Sequence, residues 1–303
     1  MRLTLRQLEV FAAIARCESV SRAAEELSLS QSAASASLAE LERAFDVQLF
    51  DRAGKRLRLN DLGRTVLGKA NEMLDRAQEF EAALHSRDMP GELKVGATLT
   101  IGNYLGVAIV GEYLRSHPGS RVALSIENTA EVIARVAAFQ LDLGLVEGRC
   151  QDPNIETIPW GDDALVVFAA PDHPLARKLV QKRRITPADL ASADWILREP
   201  GSGTRDTFER AADGVLREVR VKLELSQAEA IKHAVASGMG IGCISRLALR
   251  DDFRLGRLVP LKTPFLDMRR NFSILVHRRK YRTAACQRFI ELCVSQDGIT
   301  AKT

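Results

Sequence analysis

The stretch from Ser21 to Leu59, SRAAEELSLSQSAASASLAELERAFDVQLFDRAGKRLRL, constrains the fold more than any other. It reads as two short helices around a tight turn, followed by a basic hairpin. Ser21 is placed to cap a first helix running to about Leu27, because its hydroxyl can accept from an orphan N–H of the first turn. Ala23 and Ala24 are small enough to let a second helix cross closely. Ser28-Leu29-Ser30 is too short for anything but a turn, and Ser30 can cap the second helix. On that helix Ala34, Leu38, Leu41 and Phe45 recur as a stripe expected to face inward. Gln31, Ser32, Ser35 and Ser37 are left outside, near the N-terminal end. In a helix-turn-helix this end enters the major groove, where Gln pairs with two edge atoms of adenine and Ser donates or accepts. Ser21 and Arg22 join the same contact set.

A helical hairpin of small residues is a weak signal alone. The residues that follow strengthen it. Arg52, Lys55, Arg56 and Arg58 arrive within seven residues around Gly54, with Asp51 the nearby anion. A glycine turn loaded with cations is what a wing needs to reach phosphates or a minor groove. The competing reading is a solvated hairpin tip. Bulk charge does not decide between them. The 303 residues carry a formal net charge of +4, and residues 1–60 hold nine Lys/Arg against eight Asp/Glu. Local placement therefore carries the DNA reading.

The length suggests two or three domains with ample core. No signal peptide is expected at the first residues, since Glu9 and Arg16 interrupt the apolar run, and no membrane span is expected, since no apolar run approaches the length of one. The cysteines Cys17, Cys150, Cys243, Cys286 and Cys293 are odd in number and scattered, so neither a disulfide framework nor a zinc site is expected. A reduced, cytoplasmic compartment fits. No cofactor or metal is expected: the five histidines are singletons without ligand spacing.

In chain order, residues 3–16 read as an amphipathic helix with Leu5, Leu8, Phe11, Ala12 and Ala15 inward. After the wing, Asn60 and Asp61 start a long helix to about Arg87. Its positions Val66, Ala70, Met73, Ala77, Phe80 and Leu84 form a heptad seam. The seam looks isolated from other helices, so it predicts a homodimer that presents two reading heads to a two-fold site. Met89-Pro90-Gly91 breaks the helix. Beyond it, strands are expected at Leu93–Thr98, Val122–Glu127, Leu141–Val146, Ala164–Ala170, Asp194–Leu197, Val221–Leu225, Ile241–Ser245 and Phe272–Val276. Helices are expected at Thr100–Arg115, Ala130–Phe139, Gly203–Leu216, Ala228–Ser237 and Arg282–Val294. The alternation gives an α/β domain with parallel pairing.

The run from Leu5 to Leu67 resembles the N-terminal domain of the LysR-type transcriptional regulators. The resemblance rests on Leu8, Phe11, Ala23, Ala24, Leu27, Gln31, Ser32, Ser35, Leu41, Glu42, Leu49, Phe50, Arg52 and Gly63. Ala36-Ser37 stands where many relatives carry a longer polar or basic residue, and Asn60 stands where Thr is usual. LDLGLVEG (141–148), WILREPGSGTR (195–205) and EAIKHAVASGMGIGCISR (229–246) are similar to the family's two-lobed, periplasmic-binding-protein-like sensor. The resemblance implies a winged helix-turn-helix over 1–59, a dimerising linker helix over 60–87 and an effector domain over 92–303. Lobe I would span about 92–162 and 266–303, and lobe II about 163–265. It implies double-stranded DNA and a small effector as partners, and a homodimer that pairs into a homotetramer.

In open α/β lobes, ligands bind beyond the carboxyl ends of strands, at helix N-termini. Thr98-Leu99-Thr100 and Gly201-Ser202-Gly203-Thr204 each end a strand and open a helix; in the resembled fold they face each other. The expected effector residues are Thr98, Thr100, Asn128, Thr129, Glu147, Ser202 and Thr204, and the ordinary alternative for each is helix capping. Arg198 and Arg205 are candidate cations. Glu147 opposes a dianion unless a cation or shared proton offsets it. The resemblance is closest to regulators of sulfur assimilation and carbon fixation, implying small oxyanions such as sulfite or sulfate, or phosphorylated metabolites. An enzyme reading finds little support. Gly238-Met239-Gly240-Ile241-Gly242 follows a helix and enters a strand, the reverse of a dinucleotide fingerprint. The rivals are a two-lobed cytoplasmic enzyme, or a solute-binding protein, with a helical N-terminal extension.

Overall fold

The computed structural model describes residues 3–53, 56–85 and 92–295; the side chains of 52, 53, 56 and 82–85 also lie outside the description. Lys55, the Arg52 and Arg56 side chains, the Leu84 side chain and the Met89-Pro90-Gly91 break are therefore outside the described residues.

Helix α1 (Leu5–Cys17) opens on a reciprocal cap between Thr4 and Gln7. Helix α2 spans Val20–Glu26 and α3 spans Gln31–Phe45, capped by Ser30 at 3.1 Å to Ala33 N. Ser19, not Ser21, caps α2, because Val20 already has helical backbone; Ser21 sits exposed in the first turn. Strands β1 (Phe50–Ala53) and β2 (Arg56–Leu59) pair antiparallel as the wing. Ala34, Leu38 and Leu41 join Leu8, Phe11 and Ile14 in the head's core. Phe45 does not: it is 50% exposed, since Asp46 turns left-handed (φ 52°) directly after it.

Helix α4 (Asp61–His85) starts on Asn60, whose Oδ1 accepts from Gly63 N at 2.8 Å, so Asn caps here as Thr would. Gly63 is required, because a Cβ there would stand 2.2 Å from the Leu49 carbonyl oxygen. The helix is not isolated, which corrects the expectation. Its first half covers α1, and Ala70 and Val66 serve the head's own core. Met73 (39%) and Phe80 (66%) remain exposed, with Ala77 half-buried between them.

The effector domain is one mixed sheet in the order β4-β3-β5-β11-β6-β9-β7-β8, with β10 against β6. Strands β3 (Glu92–Thr98), β4 (Arg121–Glu127) and β5 (Leu143–Glu147) run parallel in lobe I. Strands β7 (Asp194–Arg198), β8 (Arg220–Leu225) and β9 (Ile241–Ser245) run parallel in lobe II. Two long strands cross between the lobes: β6 (Ile155–Ala169) and β11 (Arg269–His277), paired antiparallel. The short β10 is Val259–Pro260. Only the second half of β6 was expected; Pro159 and Gly161 obscure the first half, which β11 holds in place.

Around the sheet lie α5 (Leu99–Ile101), a π-turn at Gly102–Gly106, α6 (Val107–Ser116) and α7 (Thr129–Ala137). They are followed by α8 (Pro174–Val180), α9 (Pro187–Ala191), α10 (Gly203–Ala212), α11 (Ala228–Ala236), α12 (Arg246–Arg254) and α13 (Ala284–Ser295). The expected helix Thr100–Arg115 is thus interrupted by the π-turn, which brings Tyr104 within 3.0 Å of Glu229 in lobe II. Separate cores fill lobe I around Phe272 and Phe289 and lobe II around Trp195 and Phe208.

Linker and lobe I are latched together. Lys280, 6% exposed, lies 3.2 Å from Asp75 on α4 and 3.0 Å from Asp142 before β5. Burial opposes its charge, but the two carboxylates outweigh it and hold the Lys280 pKa above the ordinary lysine value. Arg76 stacks over Tyr281 at 4.2 Å, and Glu79 accepts from Ala284 N at 2.7 Å, at the start of α13.

Candidate ligand cleft and nucleic-acid face

On the head, Gln31, Ser32 and Ser35 are exposed on the first turns of α3, and Ser21 and Arg22 are exposed on α2; Ser37 is half-buried. Ser32 Oγ lies 3.0 Å from the capping Ser30 Oγ. Leu57 N donates to Glu18 O at 3.2 Å, tying the wing to the α1–α2 corner. The exposed N-terminal turns of α3 thus carry an amide and hydroxyls, groups with the chemistry to meet base edges or phosphates.

The second site lies between the lobes, where the polar ends of β3, β5 and α10 meet the crossing strands. Thr98, Thr100, Thr129, Glu147, Ser202 and Thr204 are all buried there. The Thr98 hydroxyl donates to the Glu147 carboxylate. The Thr129 hydroxyl donates to Glu147 O at 3.2 Å and accepts from Gly203 N at 3.0 Å, stitching lobe I to lobe II. Ala130 N adds a bond to Gly201 O at 3.1 Å. Asn128 caps α7, accepting from Glu131 N at 2.9 Å, which is the capping alternative. Gly203 is required by contact: a Cβ there would stand 2.0 Å from Glu147 O.

The organising group is Arg270, on β11, which sequence reasoning did not single out. Its Nη1 donates to Thr204 Oγ1 at 2.9 Å and its Nη2 to Thr100 Oγ1 at 3.4 Å, one from each lobe. Its Nε and Nη2 also donate to Asp163 Oδ2 at 2.8 and 2.6 Å. Asp163 Oδ1 accepts from Ser245 at 2.9 Å. Glu147 Oε1 lies 3.8 Å from Arg270 Nη1, so the cation that Glu147 requires is Arg270. Arg198 and Arg205 do not serve: Arg198 pairs with Glu199 at 2.8 Å, and Arg205 with Glu209 and Glu224. The available signal was the pair Arg269-Arg270, at the point where the chain returns to lobe I.

The cluster sets one guanidinium against two carboxylates. Threonine hydroxyls and the N-terminus of α10, where Ser202 makes no capping bond, supply further donors. The cleft therefore offers donors to an anion and, in Glu147, a buried acceptor that rewards a ligand with a proton to give. Away from this cluster, burial pushes Cys286 and Cys293 up to about 12, which keeps these two thiols protonated and poorly reactive. Among the described residues there is no His/Cys/Asp/Glu group that could hold a metal, and no helix is long and apolar enough to cross a membrane.

Residues 86–298 match the family model described as the LysR substrate binding domain. Residues 5–64 match that of the bacterial regulatory helix-turn-helix protein, lysR family. The chain is 41% identical over 293 residues to the uncharacterized HTH-type transcriptional regulator YeiE of Escherichia coli (strain K12), covering 97% of this chain and 98% of that one. It is 33% identical over 298 residues to the RuBisCO operon transcriptional regulator of Allochromatium vinosum, covering 98% and 97%. The regulatory domain of CcmR from Synechocystis PCC6803, solved in complex with 2-PG, superposes with a TM-score of 0.61 at 30% identity, covering 69% of this chain and 99% of that domain.

Proposed function

Because the chain belongs to the LysR family of DNA-binding transcriptional regulators, with an effector-binding domain behind its helix-turn-helix, we propose that its interlobe cleft senses a small oxyanion that carries its own proton. The observation that carries this is Arg270, hydrogen-bonded to Thr100 and Thr204 across the lobes while Glu147 stands beside it as a buried acceptor. An anion seated on Thr100, Ser202 and Thr204 meets Arg270 and the α10 terminus on one side and Glu147 on the other. A fully deprotonated dianion such as sulfate turns only lone pairs toward Glu147. Hydrogen sulfite, or a phosphate group that keeps an O–H, donates to it instead. A sulfur oxyanion of this kind is the leading candidate. A phosphorylated metabolite is the second, supported by the complex of the similar CcmR domain with 2-PG. Ligand in the cleft changes lobe orientation and, through the linker, head spacing.

The test is thermal denaturation of the full-length chain with sulfite, sulfate, phosphate, 2-PG and simple carboxylates, since binding stabilises by mass action. Sulfite or phosphate raises the melting temperature, sulfate raises it less, and Thr100→Ala abolishes the shift while basal DNA binding persists. Equal shifts by sulfate and phosphate would remove the proton-donor requirement. No shift with any anion would move the pocket elsewhere.

On the DNA side, Gln31, Ser32 and Ser35 read the major groove and the wing's Arg52, Lys55 and Arg56 hold the backbone. Arg52→Ala is expected to weaken binding at all sites and to flatten the salt slope by roughly one unit, measured by titration at several salt concentrations. A parent-like slope would strike Arg52 from the contact set. The exposed Met73 and Phe80, with half-buried Ala77 between them, are the part of the seam left for a partner helix, giving a homodimer that pairs further into a tetramer. Such a regulator works in the cytoplasm, alongside its DNA.

A further inference from the structure

The loop between β11 and α13 reads Arg278-Arg279-Lys280-Tyr281-Arg282. Lys280 is buried in the latch, which holds this loop against the linker helix. Its neighbours point elsewhere. Arg278 is steadied by Pro153 O at 3.0 Å, and Arg279 by a bond from its N–H to His277 Nδ1 at 3.1 Å; both side chains are exposed. Two open cavities meet at Arg279 and Thr65. One, of about 410 Å³, reaches Arg16 and Arg64 on the head side; the other, of about 620 Å³, reaches Lys69 and Arg278.

Most charges along this seam are already matched: Arg16 with Glu26, Arg64 with Asp61, Arg76 with Glu72 and Arg282 with Glu156. Arg278, Arg279 and exposed Lys69 have no carboxylate partner among the described residues. Three unmatched cations thus line one seam, Lys69 on the linker and the two arginines on lobe I. Lys69 lies eight residues into α4 from Asp61, about 12 Å along a helix that starts two residues after the wing strand ends at Leu59.

We propose that this strip, centred on Arg279, holds backbone phosphates of the DNA flanking the segment read by the head. The cations are solvent-exposed and lie on two elements, Lys69 on α4 and the adjacent Arg278 and Arg279 on the loop before α13. Exposed cations on an open surface suit a polyanion passing over them better than one small anion, which needs buried donors converging on a point. Flanking DNA reaches the strip when it bends toward lobe I. The sensor lobe that carries Thr98, Thr100 and Glu147 then touches the duplex directly, and ligand-driven lobe movement acts on the bend without passing through the head alone.

The experiment compares the full-length parent with R278Q/R279Q on two duplexes centred on a site that the parent protects from hydroxyl-radical cleavage. One duplex ends at the head's footprint; the other extends by a helical turn or more on each side. The expected result is equal affinity on the short duplex. On the long one the double variant loses flanking protection, and its salt slope falls by about 0.9 for each phosphate contact removed. R278K/R279K, which keeps the charge, retains both. Because both positions are exposed, the double variant is expected to fold, and an unchanged melting temperature verifies it. Unchanged flanking protection and slope in R278Q/R279Q overturn the proposal. So does stabilisation of the parent by inorganic tripolyphosphate, lost in R278Q/R279Q while the DNA slope stays the same, because the strip would then be a free-anion site.

Discussion

Arg270→Met is expected to lower the melting temperature of the chain by on the order of 10 °C. The guanidinium is 2% exposed, and the carboxylates it faces, Asp163 and Glu147, are 2% and 1% exposed. Removing one partner of a buried pair leaves the other charge without compensation, a loss of about 3–5 kcal/mol, and in a domain of this size each kcal/mol shifts the midpoint by about 2–4 °C. Ser245 still donates to Asp163 and Thr98 to Glu147, which places the effect toward the lower end of that range. Arg270→Lys restores a charge but not the fork that spans Thr100, Thr204 and Asp163, so it is expected to recover part of the stability and little of the ligand response. Scanning calorimetry of parent and both variants, with and without sulfite, checks this. A parent-like midpoint for Arg270→Met would mean that the two carboxylates relax to solvent and that the cluster does not help hold the lobes together.

Gly203→Ala is expected to uncouple the cleft while leaving the fold intact. The added methyl would stand 2.0 Å from Glu147 O and 2.8 Å from Thr129 Oγ1. Glu147 belongs to lobe I and Gly203 to lobe II, and the closest obstacle is backbone, so no side-chain rotation relieves it. The lobes must part. Each lobe keeps its own core, so the strain falls on closure. Overpacking of this kind costs about 1–3 kcal/mol, equivalent to roughly 5- to 150-fold in affinity for a ligand that binds the closed form. Isothermal titration with sulfite or phosphate reads the loss directly. Parent-like affinity would show that the ligand does not require the closed lobes.

The head was legible almost residue by residue. Its caps and periods are local, so Ser30, the α3 stripe through Leu41 and the wing could be read from spacing alone. The errors there are local competitions: Ser19 against Ser21 as cap, and a left-handed Asp46 that frees Phe45. In the effector domain the alternation of strands and helices was legible for the same reason. The first half of β6 was not, because Pro159 and Gly161 read as a loop until nine residues of β11 pair along the strand. The linker looked like a free heptad seam, yet Gly68, Asp75 and Glu79 on another face turn toward lobe I.

For the site, sequence by itself determined which segments end strands and open helices, and hence the hydroxyls Thr98, Thr100, Thr129, Ser202 and Thr204 and the carboxylate of Glu147. Only the tertiary structure decided their electrostatics. Arg270 meets its partners Thr204, Asp163 and Thr100 across 66, 107 and 170 residues. No periodicity or cap marks such a meeting. It exists because two strands cross between the lobes and bring one cation to the floor of the cleft, where burial makes both its presence and its loss matter most.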